Sequence, residues 1–108
     1  MDQFKNYQNN PNDKNSLSHN TVDSVYQDSN GYMWFGTDSG LNKFDIKKEE
    51  FTRYFYEENN QNSISSNIII SLNEDKNKNL WIGTYNTGIN KLDLETGKIT
   101  RYGEGIGL

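Results

Sequence analysis

Apolar side chains occur in short bursts along the chain, and the bursts come back in the same order. TVDSVYQD (21–28), YMWFGT (32–37), GLNKFD (40–45) and EFTRYFY (50–56) are answered by NIIISLNED (67–75), NLWIGT (79–84), GINKLD (88–93) and KITRY (98–102). None sustains the i, i+3, i+4 spacing of a helix face. Between the bursts lie Asp-Ser-Asn-Gly, Asp-Ser-Gly, Asn-Thr-Gly and Glu-Thr-Gly, all turn-forming. Each burst is therefore predicted to be a β-strand, with almost no helix in the chain. Strict alternation fails within them. Leu41 and Phe44 have opposite parity and point to opposite faces of their strand, as in a sheet buried on both sides.

The bursts belong to a repeat. Trp34 and Trp81 stand 47 residues apart, and at that offset Leu17-Ser18 matches Ile64-Ser65, Asn20 matches Asn67, Ser24 matches Ser71 and Asp28 matches Asp75. After Thr37 and Thr84 the second copy has one extra residue. From there Gly40-Leu41-Asn42-Lys43 matches Gly88-Ile89-Asn90-Lys91, and Thr52-Arg53-Tyr54 matches Thr100-Arg101-Tyr102. Phe4 and Tyr7 precede Phe51 and Tyr54 by the same 47 and read as a truncated third copy. A register of this length is architecture and not a catalytic motif.

Four strands per copy is the content of one β-propeller blade. The expected fold is all-β, about two four-stranded antiparallel blades. Residues 1–16 supply the last strand of a preceding blade and a loop, 17–63 the first blade, and 64–108 the second blade with the start of another repeat. Trp34 and Trp81 are expected between blades, with Gly36, Gly40, Gly83 and Gly88 allowing close strand approach and tight turns, and Thr37 and Thr84 completing the motif. Ser24 and Ser71 suit the crowded innermost strand.

These residues, L-S-x-N-x-V/I, G-x-x-W-F/I-G-T and G-L/I-N-K, resemble the two-component regulator propeller repeat over nearly the whole chain. The resemblance implies an extracytoplasmic sensor region of hybrid two-component systems or related histidine kinases, sometimes joined to a diguanylate cyclase. It implies a ligand such as an oligosaccharide. One departure is Lys78, where the first copy has the turn glycine Gly31.

Counting the N-terminal piece, nine strands are expected, one more than two whole blades hold. The expectation is either a piece of a longer propeller, or a short chain that closes with identical protomers, three or four giving six or eight blades. A self-assembling interaction scaffold and a propeller-type glycan hydrolase or lyase are the other classes left open.

Composition narrows the partners. The apolar fraction of 31% is low for a chain of 108 residues, while 13% aromatic residues argue against disorder. Net charge −4 with scattered Lys and Arg argues against nucleic acid. The longest apolar run, Ile68-Ile69-Ile70, is far below membrane-spanning length, and MDQFKNYQNN carries no secretory signal pattern. Without cysteine there is no disulfide or thiol chemistry.

No enzyme is expected in this chain, and no cofactor. Asp75-Lys76-Asn77-Lys78-Asn79 has the oxygen spacing of an EF-hand loop. But Leu80 takes the place of its glycine and Asn86 that of its bidentate glutamate, so a hairpin turn is predicted. Gly103-Glu104-Gly105-Ile106-Gly107 lacks the lysine and helix of a phosphate loop and reads as a connection. His19 is the only histidine, with Ser66 at its repeat position, and defines no triad. Asp28, Asp45, Asp75 and Asp93 recur with the repeat, as turn fixtures do.

Ligand contacts are expected where the copies diverge on the rim that carries the fourth-to-first and second-to-third connections. These are residues 9–20, 57–67, 38–39 and 85–87. The candidates are His19, Asn20, Asp38, Ser39, Asn67, Tyr85 and Asn86, with Tyr85 suited to stacking on a sugar or peptide.

Overall fold

A computed structural model describes residues 8–103. It contains eight strands: β1 (Val22–Gln27), β2 (Met33–Thr37), β3 (Gly40–Asp45), β4 (Glu50–Tyr54), β5 (Ile69–Glu74), β6 (Asn79–Thr84), β7 (Ile89–Asp93) and β8 (Ile99–Tyr102). They form two antiparallel meanders, β1-β2-β3-β4 and β5-β6-β7-β8. The predicted bursts coincide with the strands to within a residue or two, except that EFTRYFY pairs only as far as Tyr54 and KITRY begins at Ile99. The expected N-terminal strand with Phe4 and Tyr7 lies outside the described residues save for Gln8, as does most of the Gly103–Gly107 stretch.

Register explains how so polar a chain makes a core. Tyr26, Trp34, Lys43 and Thr52 stand across from one another in the first sheet, so Tyr26, Trp34, Leu41 and Tyr54 share one face. The second sheet turns the opposite kind of face toward them. Leu80, Ile82, Leu92 and Ile99 join Ile64, Ile69, Trp34 and Leu41 in a single buried cluster, with Tyr26, Tyr54 and Leu72 against it. Leu41 is fully buried in this cluster, while Phe44 on the opposite face stacks on Phe51 with ring centroids 4.5 Å apart. The two sheets thus pack face to face, as the loss of strict alternation predicted.

Gly36 shows why the motif needs glycine. A Cβ there would come within 2.6 Å of Ile69 Cγ2 and would also meet the Ser24 hydroxyl. The bulge between Val22 and Ser24 lays Ser24 over this spot, and the bulge between Ile69 and Ser71 repeats it over Gly83. Trp81 differs from its twin. Trp34 is 1% exposed beneath the second sheet, but Trp81 is only half-buried and outside the core cluster, because among the described residues no further sheet lies over it.

Each repeat is tied by the same polar devices. Asp28 Oδ1 accepts from Asn30 and Tyr32 N–H at 2.9 and 3.0 Å, and its Oδ2 accepts from Trp34 Nε1–H at 2.7 Å. Asp75 does the same for Asn77, Asn79 and Trp81 at 2.8, 3.0 and 2.9 Å. Lys78 keeps the left-handed φ of Gly31, 63° against 92°, so the turn survives the substitution. This is a closed turn in which the carboxylate is spent on hydrogen bonds.

The Trp81 indole, ahead of the Asn79 and Asn77 donors, holds the Asp75 carboxyl down to about 2 from an ordinary 3.8. The fold therefore favours the ionised form. Its contribution is present above the ordinary aspartate value and fades as pH falls toward 2. Urea midpoints measured across that acid range are expected to fall more steeply for the parent chain than for Asp75→Asn, which no longer titrates there.

Candidate functional site

The second-to-third connections and the fourth-to-first connections meet on one rim. Asp38 N–H donates to Thr21 O at 3.3 Å and Tyr85 N–H to Ile68 O at 3.1 Å. Beneath them a buried asparagine locks each loop. Asn42 Oδ1 accepts from Ser18 N–H at 2.9 Å while its Nδ2 donates to Ser18 Oγ at 2.8 Å. Asn90 repeats this on Ser65 at 2.7 and 2.9 Å, and both amides are 0% exposed. Thr37 Oγ1 and Thr84 Oγ1 each donate at 2.7 Å to the carbonyl of the following glycine, Gly40 and Gly88. The glycines take φ of 113° and 84°, a region closed to most other residues.

Arginine closes the far end of each loop, a role the repeated T-R-Y signals only by its recurrence. Arg53 Nε donates to Ser16 O at 2.8 Å and its Nη2 to Ser16 Oγ and Asp13 O at 2.8 and 3.0 Å. Arg101 donates to Ser63 O, Ser63 Oγ and Asn60 O, each at 2.9 Å. The rim loops are therefore held at both ends by side chains common to the copies, leaving the tips to vary.

The structure sorts the seven rim candidates into two kinds. Asn20 and Asn67 are engaged in the scaffold: Asn20 Oδ1 accepts from Asn9 N–H at 2.6 Å, and Asn67 Oδ1 from Tyr56 N–H at 2.7 Å. His19 Nδ1 accepts from Thr21 N–H at 2.9 Å, as Ser66 Oγ does from Ile68 N–H at 3.0 Å. The residue as a whole is half-buried. Ser39 is half-buried, its N–H donating to Thr37 Oγ1 at 3.0 Å. Asp38, Tyr85 and Asn86 are exposed; Tyr85 shows 61% of its surface and Asn86 holds φ at 70°.

Asp23 is a rim group the sequence reading missed. Its hydrogen bond to the Asp38 carboxyl, followed by desolvation and the Asp38 charge, raises its pKa, while His19 acts in the opposite sense. The signal was there in the repeat: Asp23, Asp38 and His19 answer to Ile70, Tyr85 and Ser66. One copy thus presents a polar, titratable tip and the other an apolar, aromatic one. Among the described residues no group of three His, Cys, Asp or Glu side chains could hold a metal ion. A groove of about 550 Å³ runs along β8, lined by Gln61, Asn62, Lys98 and Tyr102 among others, and none of the rim candidates lines it.

Both repeats match the two component regulator propeller, at residues 16–39 and 63–86. In each copy the matched propeller stretch runs from the serine before Leu17 or Ile64 to the loop after the W-x-G-T strand, taking in the aspartate–tryptophan turn and the bulge over the glycine. The extracellular domain of BT3049 from B. thetaiotaomicron, described as a hybrid two component system, superposes with a TM-score of 0.79. It is 29% identical over 89% of this chain, which spans 14% of that chain. Two structures of the extracellular domain of BT4673 from the same organism are described, one as a one component system and one as a hybrid two component system. They align at 21% and 20% identity with TM-scores of 0.38, over 80% of this chain and 19% of theirs. No curated protein matches the chain. Among the described residues no helix is long and apolar enough to cross a membrane.

Proposed function

We propose that this chain is a ligand-sensing segment of a two-component sensor propeller, an extracytoplasmic binding module with no chemistry of its own. The observation that carries the reading is the likeness to the extracellular domain of a hybrid two component system, at 29% identity and a TM-score of 0.79. The rim supports it: shared asparagine, threonine and arginine locks hold loops whose exposed tips differ between the copies. Rigid scaffolds with divergent loop tips are the usual form of a binding surface.

The proposed ligand is an oligosaccharide. Tyr85 offers a flat apolar face for a pyranose ring, and Asn86, Asp38, Ser39 and His19 offer polar groups around it, with Asn20 and Asn67 supporting the loops from behind. The full sensor would convert such binding into a kinase or cyclase output through domains other than this one.

Titration calorimetry against gluco-, xylo- and manno-oligosaccharides tests the reading. One sugar class is expected to bind, and Tyr85→Ala to weaken it by roughly tenfold, the loss of one stacking contact of about 1.4 kcal/mol. Binding that survives Tyr85→Ala and Asp38→Ala unchanged would move the site off this rim.

A further inference from the structure

The two fourth-to-first connections end in the same hydrogen bond, made with different chemistry. In the second repeat Ser66 Oγ accepts from Ile68 N–H at 3.0 Å, and Ile68 O accepts from Tyr85 N–H at 3.1 Å. In the first, His19 Nδ1 accepts from Thr21 N–H at 2.9 Å, and Thr21 O accepts from Asp38 N–H at 3.3 Å. Each pair of bonds is a latch that runs through one residue to the tip of the second-to-third connection. A serine hydroxyl keeps its lone pairs at any pH a folded protein meets. An imidazole does not. Histidine is the side chain whose ordinary titration falls between about pH 5 and 8. To accept from Thr21, the neutral ring carries its proton on Nε2 and offers the Nδ1 lone pair. A further proton from solvent goes to Nδ1, and both ring nitrogens are then donors. Thr21 N–H loses its acceptor and meets another N–H in its place.

We propose that His19 makes the first rim loop a pH-operated latch, closed while the ring is neutral and released on protonation, whereas the Ser66 latch of the second loop stays closed. Among the described residues, the charged groups toward the ring are Asp23 of β1 and, bonded to Asp23, Asp38 of the β2–β3 connection. The neighbours from the other elements are neutral. Ser18 is held by Thr37 of β2 and Asn42 of β3, and Asn20 by Asn9 of the preceding loop. A protonated ring that has let go of Thr21 therefore has a carboxylate to turn to. The bulge between Val22 and Ser24 leaves Asp23 without a partner residue on β2 and aims its side chain at Asp38. Charge on His19 acts on Asp23 against the effect of Asp38, so the ring gaining a proton and the acid pair giving one up are linked.

Release loosens the tip that carries Asp38, one of the proposed sugar contacts; that consequence rests on the sensing role, and the latch does not. Amide exchange reads the latch without any sugar, so either can fail without the other.

Heteronuclear NMR of the whole chain, from about pH 8 to about pH 5, is the test. The His19 ring signals follow its protonation, and solvent exchange of each amide follows its latch. Ile68 in the same sample corrects for the intrinsic pH dependence of exchange. Exchange at Thr21 relative to Ile68 is expected to rise about fivefold as the ring takes up its proton, on the scale of one lost hydrogen bond. In His19→Ser, which installs the second repeat's own residue, the ratio is expected to stay flat. Asp23→Asn removes the nearest carboxylate and is expected to keep the rise, because Nδ1 still loses its lone pair. A ratio that ignores the His19 titration overturns the proposal, and so does a rise that persists in His19→Ser. A rise abolished by Asp23→Asn while His19 still titrates also overturns it and assigns the effect to the acid pair. If His19→Ser does not fold, the parent chain and Asp23→Asn decide by these same outcomes.

Discussion

Trp34→Ala is expected to destabilise the fold by about 3–5 kcal/mol, on the scale of a large aromatic removed from a packed core. Trp34 is 1% exposed, lies 5.7 Å from the Tyr54 ring, and donates its indole N–H to Asp28 at 2.7 Å. Truncation opens a cavity between the sheets and removes the donor from a carboxylate that is itself only 5% exposed. Trp81→Ala removes the same side chain from the same local turn. Trp81 is half-buried, so the expected loss there is smaller, about 1–2 kcal/mol. Urea unfolding of the two variants side by side checks this. Equal losses would mean that the tryptophan serves its own turn and that the second sheet adds nothing by covering it.

Asn42→Leu is expected to cost about 1–3 kcal/mol, although leucine has the same branched skeleton as asparagine and is far more apolar. A reading by hydropathy alone would expect stabilisation at a position that is 0% exposed. The loss arises because Asn42 satisfies two groups of Ser18 at once, its N–H at 2.9 Å and its hydroxyl at 2.8 Å. Each buried polar group left without a partner costs about 1–3 kcal/mol. Asn90→Leu is expected to behave alike, since Asn90 bonds Ser65 at 2.7 and 2.9 Å. Thermal melts of both variants would settle the point; a rise in melting temperature would show that the amide is replaceable by packing. Loop order at the rim should suffer with stability, because these amides hold the base of the same connections that carry Tyr85 and Asp38.

How much of this could be read from the chain differs from one feature to the next. The strands were legible because turn residues bracket each apolar burst and because every burst occurs twice. Repetition also marked Trp34, Gly36, Thr37, Asp28 and Asn42 as architecture, and the structure gives each of them a bond or a contact that its twin repeats. Asn20 and Asn67 show the limit of that reasoning. Both are rim candidates by position, and each also accepts a backbone N–H from eleven residues away, Asn9 in one case and Tyr56 in the other. A repeated residue in a loop carries the same sequence signal whether it faces outward or braces the chain. The pairing of Asp23 with Asp38 was equally hidden, since it depends on which residues of β1 and of the next hairpin lie side by side.

The strands, their order and the two-fold repetition are written in the chain, because turn chemistry and apolar spacing act over a few residues and need no partner. So is the apolar character of both faces of each sheet. Which faces meet follows from packing: the tryptophan face of the first sheet is covered and, among the described residues, that of the second is not. Two identical motifs thus become one buried tryptophan and one half-exposed one. The reason is that burial depends on what packs opposite, and local patterning carries no information about that.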